Sequence, residues 1–268
     1  EVDPKTLVNE YGHDPKSLAL VYTAVGHIYG GFADQAAALI REAITHAETL
    51  QFPFMLGYVH WIAALGLQAL GELKQTEKHA ATQHQIGIEG NFSMLESTGL
   101  ILSGWAECRQ GHFHSLSKIE NGFRQLADLG SSTFQYVTHL DPHIDALVQG
   151  GNSKEARKKI DEALTMIETT GVKKSLPEIL RLKAQCSLLE DTFDQNDVEA
   201  TLLDSLKIAK TNKTKLWELR SANTLATLWA ERKEKQKACD LLTPIYNWFT
   251  EGFHTPDLRE AKELLNQL

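Results

Sequence analysis

Eleven histidines are the residues of this chain best suited to hold a metal or move a proton, so their spacing comes first. His112 and His114 flank Phe113, His79 and His84 stand five apart, and His139 and His143 stand four apart with Asp141 between them. Only the last spacing puts two imidazoles on one face of a helix. Pro142 within it removes a backbone donor and kinks the helix that would carry them. Two ligands without a third do not make a site, and no metal is expected. Covalent and phosphate chemistry have no foothold either: there is no GxxxxGK[ST] phosphate cradle, no GxSxG nucleophile elbow and no HExxH zinc helix. Cys108, Cys186 and Cys239 lie far apart with no CxxC pair, so no disulfide framework arises and a reducing cytoplasm is the expected setting. The expectation is a chain without a catalytic residue or a cofactor.

What remains is binding chemistry. Aromatic rings offer a large contact area for little lost entropy, and a guanidinium offers a charge-paired anchor. The candidates are Tyr22, Tyr29, Trp61, Gln68, Trp105 and Arg109. A period of about forty residues aligns them. It sets Val21, Trp61 and Ile101 in one row, with Tyr22 beside it, and Val25, Leu65 and Trp105 in the next. Ile28, Gln68 and Cys108 form a third, and Tyr29, Ala69 and Arg109 a fourth. In an array of helical hairpins the first helix of each lines the concave side, and these positions would face it. A second reading of the same rows packs Trp61 and Trp105 between repeats as core.

The elements that must position these residues show in the chain breaks. Gly31, Gly71, Gly111 and Gly151 recur every 40 residues, and a second series at Gln51-Phe52-Pro53, Gly90-Asn91, Leu129-Gly130 and Thr170-Gly171 falls midway between them. Two series out of phase by half a period mean two helices per repeat. Between breaks the apolar residues recur at three and four: Ala36, Leu39, Ile40, Ala43, Ile44 and Ala47 form one face of an amphipathic helix. Helices are predicted at 15–30, 33–50, 53–70, 74–89, 92–110, 113–129, 133–149, 153–170, 176–190, 196–211, 214–232, 234–249 and 256–267. Asn152-Ser153 and Thr255-Pro256 read as capped helix openings. Trp248, Phe249 and Phe253 read as the buried contact of a final helix that covers the end of the array.

Small residues sit where helices must approach: Ala24, Ala64 and Gly104 in successive first helices, and Ala36 and Ala43, then Ala156 and Ala163, in second helices. This pattern resembles the tetratricopeptide repeat, whose second helix carries two such alanines. The period departs from it, at about 40 rather than about 34 residues. So do the second and third hairpins, which have Thr76 and Gln83, then Leu116 and Phe123, in those places. The expected fold is all-α: a tetratricopeptide-like α-solenoid of about six hairpins. Residues 1–14 would be a linker or the end of a preceding region, 15–254 the repeats and 255–268 a capping helix.

Charge narrows the partners. Residues 1–150 hold 8 Lys and Arg against 16 Asp and Glu, while 151–268 hold 19 against 19, so the net charge of -8 resides in the first half. An acidic face repels phosphate, and no nucleic acid is expected there. The basic run Lys207, Lys210, Lys213, Lys215 reads as a solvated helix end. No apolar run reaches the roughly 18 residues of a membrane helix, so no membrane partner is expected. The chain opens on Glu1 rather than Met and reads as a fragment or processed chain.

A more specific likeness lies at the end of the chain. Leu219-Arg220-Ser221-Ala222 with Leu228-Trp229, and the run from Leu241-Leu242-Thr243-Pro244 through Trp248-Phe249-Thr250-Glu251-Gly252-Phe253 to Thr255-Pro256-Asp257-Leu258, resemble the helical-repeat region that closes large bacterial signalling proteins. In those proteins a class III adenylate/guanylate cyclase domain and an AAA-type or STAND-type ATPase module precede the repeats. His254 departs from the acidic residue expected at its place. The resemblance implies a non-catalytic regulatory region that binds a protein or peptide segment, or upstream domains of its own polypeptide. An alternative is the ligand-sensing repeat domain of a STAND-type transcription activator, with a small inducer in the groove.

Overall fold

The computed structural model describes residues 12–130 and 133–268, with the side chains of 133 and 134 excepted. Most of the expected N-terminal linker lies outside the described residues. Among the described residues, 81% are helical and none is in a strand. The helices are α1 (Pro15–Gly30), α2 (Ala33–Leu50), α3 (Pro53–Ala69), α4 (Leu73–Gly90), α5 (Ser93–Arg109), α6 (Leu116–Asp128), α7 (Thr133–Val137), α8 (Leu140–Gln149), α9 (Ser153–Thr170), α10 (Leu176–Leu188), α11 (Gln195–Thr211), α12 (Lys215–Glu231), α13 (Lys235–Tyr246) and α14 (Pro256–Gln267).

One turn design recurs. Gly31, Gly71, Gly111 and Gly151 all take positive φ, and so do Gln51, Asn91, Gly130 and Gly171 of the second series. At residue 71 the Gly71 N–H donates to Gln68 C=O and the Glu72 N–H to Leu67 C=O, so two orphan carbonyls of α3 are satisfied by one left-handed residue. The same pair of bonds closes the turns at residues 91, 111, 151, 213 and 233. At 213 and 233 the left-handed residue is lysine, which carries the strain that glycine avoids.

Two expected features come out differently. The helix predicted over 133–149 is broken into α7 and α8, with His139 at the break and Pro142 in the first turn of α8, where a missing N–H is tolerated. The caps also differ: neither Asn152 nor Thr255 makes a side-chain cap bond. The capping carboxylates are Asp14, accepting from the Ser17 N–H at 2.6 Å, and Asp194, accepting from the Asn196 N–H at 2.7 Å.

Contacts divide the chain into two units, Ala33–Tyr136 with the chain up to Ile28, and Val137–Leu268 with Tyr29–Phe32. In the first, consecutive helices from α2 to α6 pack in pairs, and α3 also touches α5. In the second, α8 through α14 pack each on the next, and α8·α10, α10·α12 and α12·α14 pack next but one. The core of the second unit joins Leu202, Leu219, Leu225, Trp229, Leu242, Phe249 and Leu258. Of the three aromatics expected beneath the last helix only Phe249 is buried, whereas Trp248 and Phe253 are exposed.

The small residues do what close packing requires. Ala24, Ala36, Ala43, Ala64 and Ala156 have no exposed surface. In the third hairpin the small pair exists one residue earlier than the period places it, at Ser115 and Gly122, because a 3-10 turn over Phe113–Ser115 winds the chain faster than an α-helix. In the second, Gln83 replaces alanine and its Nε2 donates to Leu95 C=O at 2.9 Å and Thr98 Oγ1 at 2.5 Å across the helix pair. The tightest approach to a backbone atom is at Gly87, where a Cβ would stand 2.5 Å from the Glu96 nitrogen. Gly87→Ala should therefore lower stability by ~1–3 kcal/mol although alanine is the better helix former by ~1 kcal/mol. Gly26→Ala, at an exposed position in α1 with nothing within 4 Å, should raise it by up to ~1 kcal/mol. Urea denaturation of both variants checks the pair, and a stabilised Gly87→Ala would contradict the packing described.

Candidate functional site

In the first unit the aromatic candidates meet on α1 and α3. Tyr22 is 42% exposed, and its hydroxyl lies 2.7 Å from that of Tyr58. Tyr58 packs edge-on against Trp61 at 5.2 Å between centroids, and Phe54 links Tyr58 at 6.2 Å to Phe92 at 5.2 Å. Burial together with the Tyr22 hydroxyl raises the Tyr58 phenol, so Tyr58 remains a neutral hydrogen-bonding group. A ridge of rings, partly open to solvent, thus crosses the acid-rich half of the chain. Sequence reasoning singled out Tyr22 and Trp61 here but missed Tyr58, Phe54 and Phe92; the period pairs Phe52 with Phe92, a signal it could have used.

Trp61 touches that ridge but is covered, and the remaining expected groove residues do not join it. Trp61 and Trp105 show 1% and 2% of their surface and Gln68 shows 6%, so a partner reaches them only if the side chains over them move. Arg109 is exposed at the end of α5. Tyr29 belongs to the second unit, where it packs against Trp217 at 5.4 Å between centroids and lies under the Lys174 ammonium at 4.9 Å.

The histidines find local partners. His79 turns toward His60 rather than His84, with 2.8 Å between their Nδ1 atoms, so one ring donates to the other. Burial lowers both to about 4, and they are neutral at pH 7. His84 meets the Glu96 carbonyl at 3.0 Å. His139 and His143 are both buried, and burial lowers His143 to about 4. Among the described residues no three His, Cys, Asp or Glu side chains are grouped to hold a metal.

The second unit contains a charged cluster that was not anticipated. The Arg220 guanidinium donates to both carboxylate oxygens of Asp257, at 3.0 and 2.6 Å, and to Glu178 Oε1 at 3.1 Å. Arg181 grips the same Glu178 through two bonds of 2.8 Å, and Asn223 donates to the Asp257 carbonyl at 2.9 Å. Arg220 thereby ties α10, α12 and α14 together, and its guanidinium also covers the Trp217 ring at 5.0 Å. Burial alone would raise the Glu178 carboxyl; the charges of Arg181 and Arg220 outweigh it and bring it down to about 2. The repeat period carries the signal for this cluster: Glu178, Glu218 and Asp257 lie 40 and 39 apart, as Arg181, Arg220 and Glu260 lie 39 and 40 apart. Paired in this way, the charges hold helices in register.

Asp141 is the exception. It is 4% exposed and its Oδ1 has no protein partner. Burial raises its carboxyl to about 7, with Lys174 pulling the other way.

Compared with known proteins, the chain matches no family model and no curated protein. No described helix is long and apolar enough to cross a membrane.

Two variants test these assignments. Trp61→Ala should cost ~3–5 kcal/mol of folding stability, as loss of a buried ring does; an unchanged melting temperature with weakened partner binding would return Trp61 to the interface. For Asp141, a folded pKa above the ordinary carboxylate value means that the group favours the fold at low pH and that this contribution is lost as pH rises through about 7. Asp141→Asn should remove ~1–3 kcal/mol of the stability lost between pH 4 and pH 8. Denaturation at both pH values reads it, and an unaltered pH dependence would show that Asp141 is solvated.

Proposed function

We propose that this chain is a non-catalytic helical-repeat region, a tetratricopeptide-like α-solenoid of about six hairpins, that binds a protein or peptide segment and regulates a linked class III nucleotide cyclase or ATPase module. Support for the repeat reading comes from the closed turn shared by six helix ends and from next-but-one packing within each unit. The observation that carries the binding reading is the ridge of Tyr22, Tyr58, Phe54 and Phe92, of which Tyr22 is exposed and the others half-buried, aromatic surface of the kind that anchors partners. It lies in the half of the sequence that holds 16 acidic against 8 basic residues. A segment with apolar anchors and positive charge is the complementary partner, because opposite potential speeds encounter and buried rings hold the complex. The cyclase or ATPase link rests on the C-terminal likeness alone.

Fluorescence anisotropy with designed peptides tests the binding reading. A peptide alternating Leu or Phe with Lys should bind about tenfold more tightly than the same peptide with Glu in place of Lys. Tyr58→Ala should weaken it by ~1–2 kcal/mol with little change in melting temperature. Equal binding of both peptides, or none, would overturn the interface. Adding the purified chain to a class III cyclase domain should alter the rate of cyclic nucleotide formation, while cyclic nucleotide formation or ATP hydrolysis by the chain itself would refute its non-catalytic role.

A further inference from the structure

A cavity of about 490 Å³ opens in the second unit between α9, α10 and α11, within the roughly 300–1,000 Å³ that small-molecule sites occupy. Its charges sort into those already engaged and those left open. Arg157 holds Glu190, with its Nε 3.1 Å from Oε1, and the Asp194 carboxylate caps α11. Three remain: Lys183 on α10, and Asp197 and Asp204 on α11. Asp197 and Asp204 are seven residues apart, two turns along one face of the helix, with Thr201 between them. Among the described residues, none of these three side chains makes a hydrogen bond or ion pair. Opposite charges thus line the same cavity without joining across it. At its rim the Phe193 ring is 37% exposed.

We propose that this cavity binds a small zwitterion of the free amino acid or dipeptide class, carrying an apolar side chain. The ligand's ammonium group meets Asp197 and Asp204, its carboxylate meets Lys183, and its side chain covers Phe193. A ligand of one sign would satisfy one wall and be repelled by the other; a ligand with separated opposite ends satisfies both. This site lies in the other unit from the aromatic ridge and stands apart from the peptide-binding reading.

Calorimetric titration with the dipeptide Leu-Phe tests it, with free phenylalanine as the smaller arm. Leu-Phe should bind saturably, and N-acetylation or C-amidation should each weaken it about fivefold, the scale of one solvent-accessible ion pair. In Asp197→Asn/Asp204→Asn the acetylation penalty should vanish while the amidation penalty persists, and in Lys183→Met the reverse should hold. Asp191→Asn, exposed and outside the cavity lining, should change nothing. Capped dipeptides that bind as well as the free one would overturn the proposal. So would tighter binding of spermidine or glutarate, ligands of a single sign, or no heat of binding at ~10 mM ligand, where even millimolar affinity registers.

Discussion

Everything in this chain depends on how its helices end. A left-handed residue followed by two backbone bonds back into the last turn both satisfies orphan carbonyls and reverses the chain. Repetition of that one closure makes neighbours in sequence neighbours in space, and the helix faces that meet are then set by the spacing between closures. The left-handed conformation is not left to glycine alone: Gln51, Asn91, Lys213 and Lys233 adopt it as well. At those places the packing of the helices on either side must outweigh the local strain.

The two units solve close helix packing differently. In the first, glycines remove side chains altogether: Gly99 faces His84 and Ala80, Gly104 faces Ser115 and Ile119, and Gly122 faces Ser97 and Ile101. In the second, first helices are joined by charge, with Arg220 between Glu178 and Asp257. Buried charges add little net stability against well-packed apolar residues, but losing one partner is costly. Such pairing therefore selects one register of α10, α12 and α14 over its alternatives. Ser205 and Ser221, hydrogen-bonded at 2.7 Å between α11 and α12, add a polar constraint of the same kind.

Helix positions were legible because the breaks are chemically loud. Glycine every 40 residues and apolar spacing at three and four gave helix boundaries within three residues nearly everywhere. The failures are local. The break at His139 falls three residues before Pro142, which suits the first turn of a helix rather than its interior, and the 3-10 turn over Phe113–Ser115 precedes α6; apolar spacing marks neither. The site was less legible. Repeat arithmetic brought Trp61 and Trp105 into neighbouring rows but could not say that both would be covered, since such rows serve core and groove alike. The Arg220 cluster obeys the same arithmetic and went unnoticed because charged residues were counted in bulk rather than by repeat position. Asp141 entered the sequence reading only as the residue between two histidines, whereas burial makes it a carboxyl that holds its proton near neutrality.

The glycine contacts of α5 also constrain how this sequence can change length. Gly99 meets α4 on one side of α5 while Gly104 meets the start of α6 on another. An inserted or deleted residue between them turns the rest of the helix by about 100° and carries one glycine off its neighbour's backbone. Side chains then arrive where only hydrogen fits. A change of length within this helix therefore breaks one contact or the other. The change of length compatible with both is a whole hairpin, bounded by two left-handed turns. Single-residue changes of length fit best in the turns.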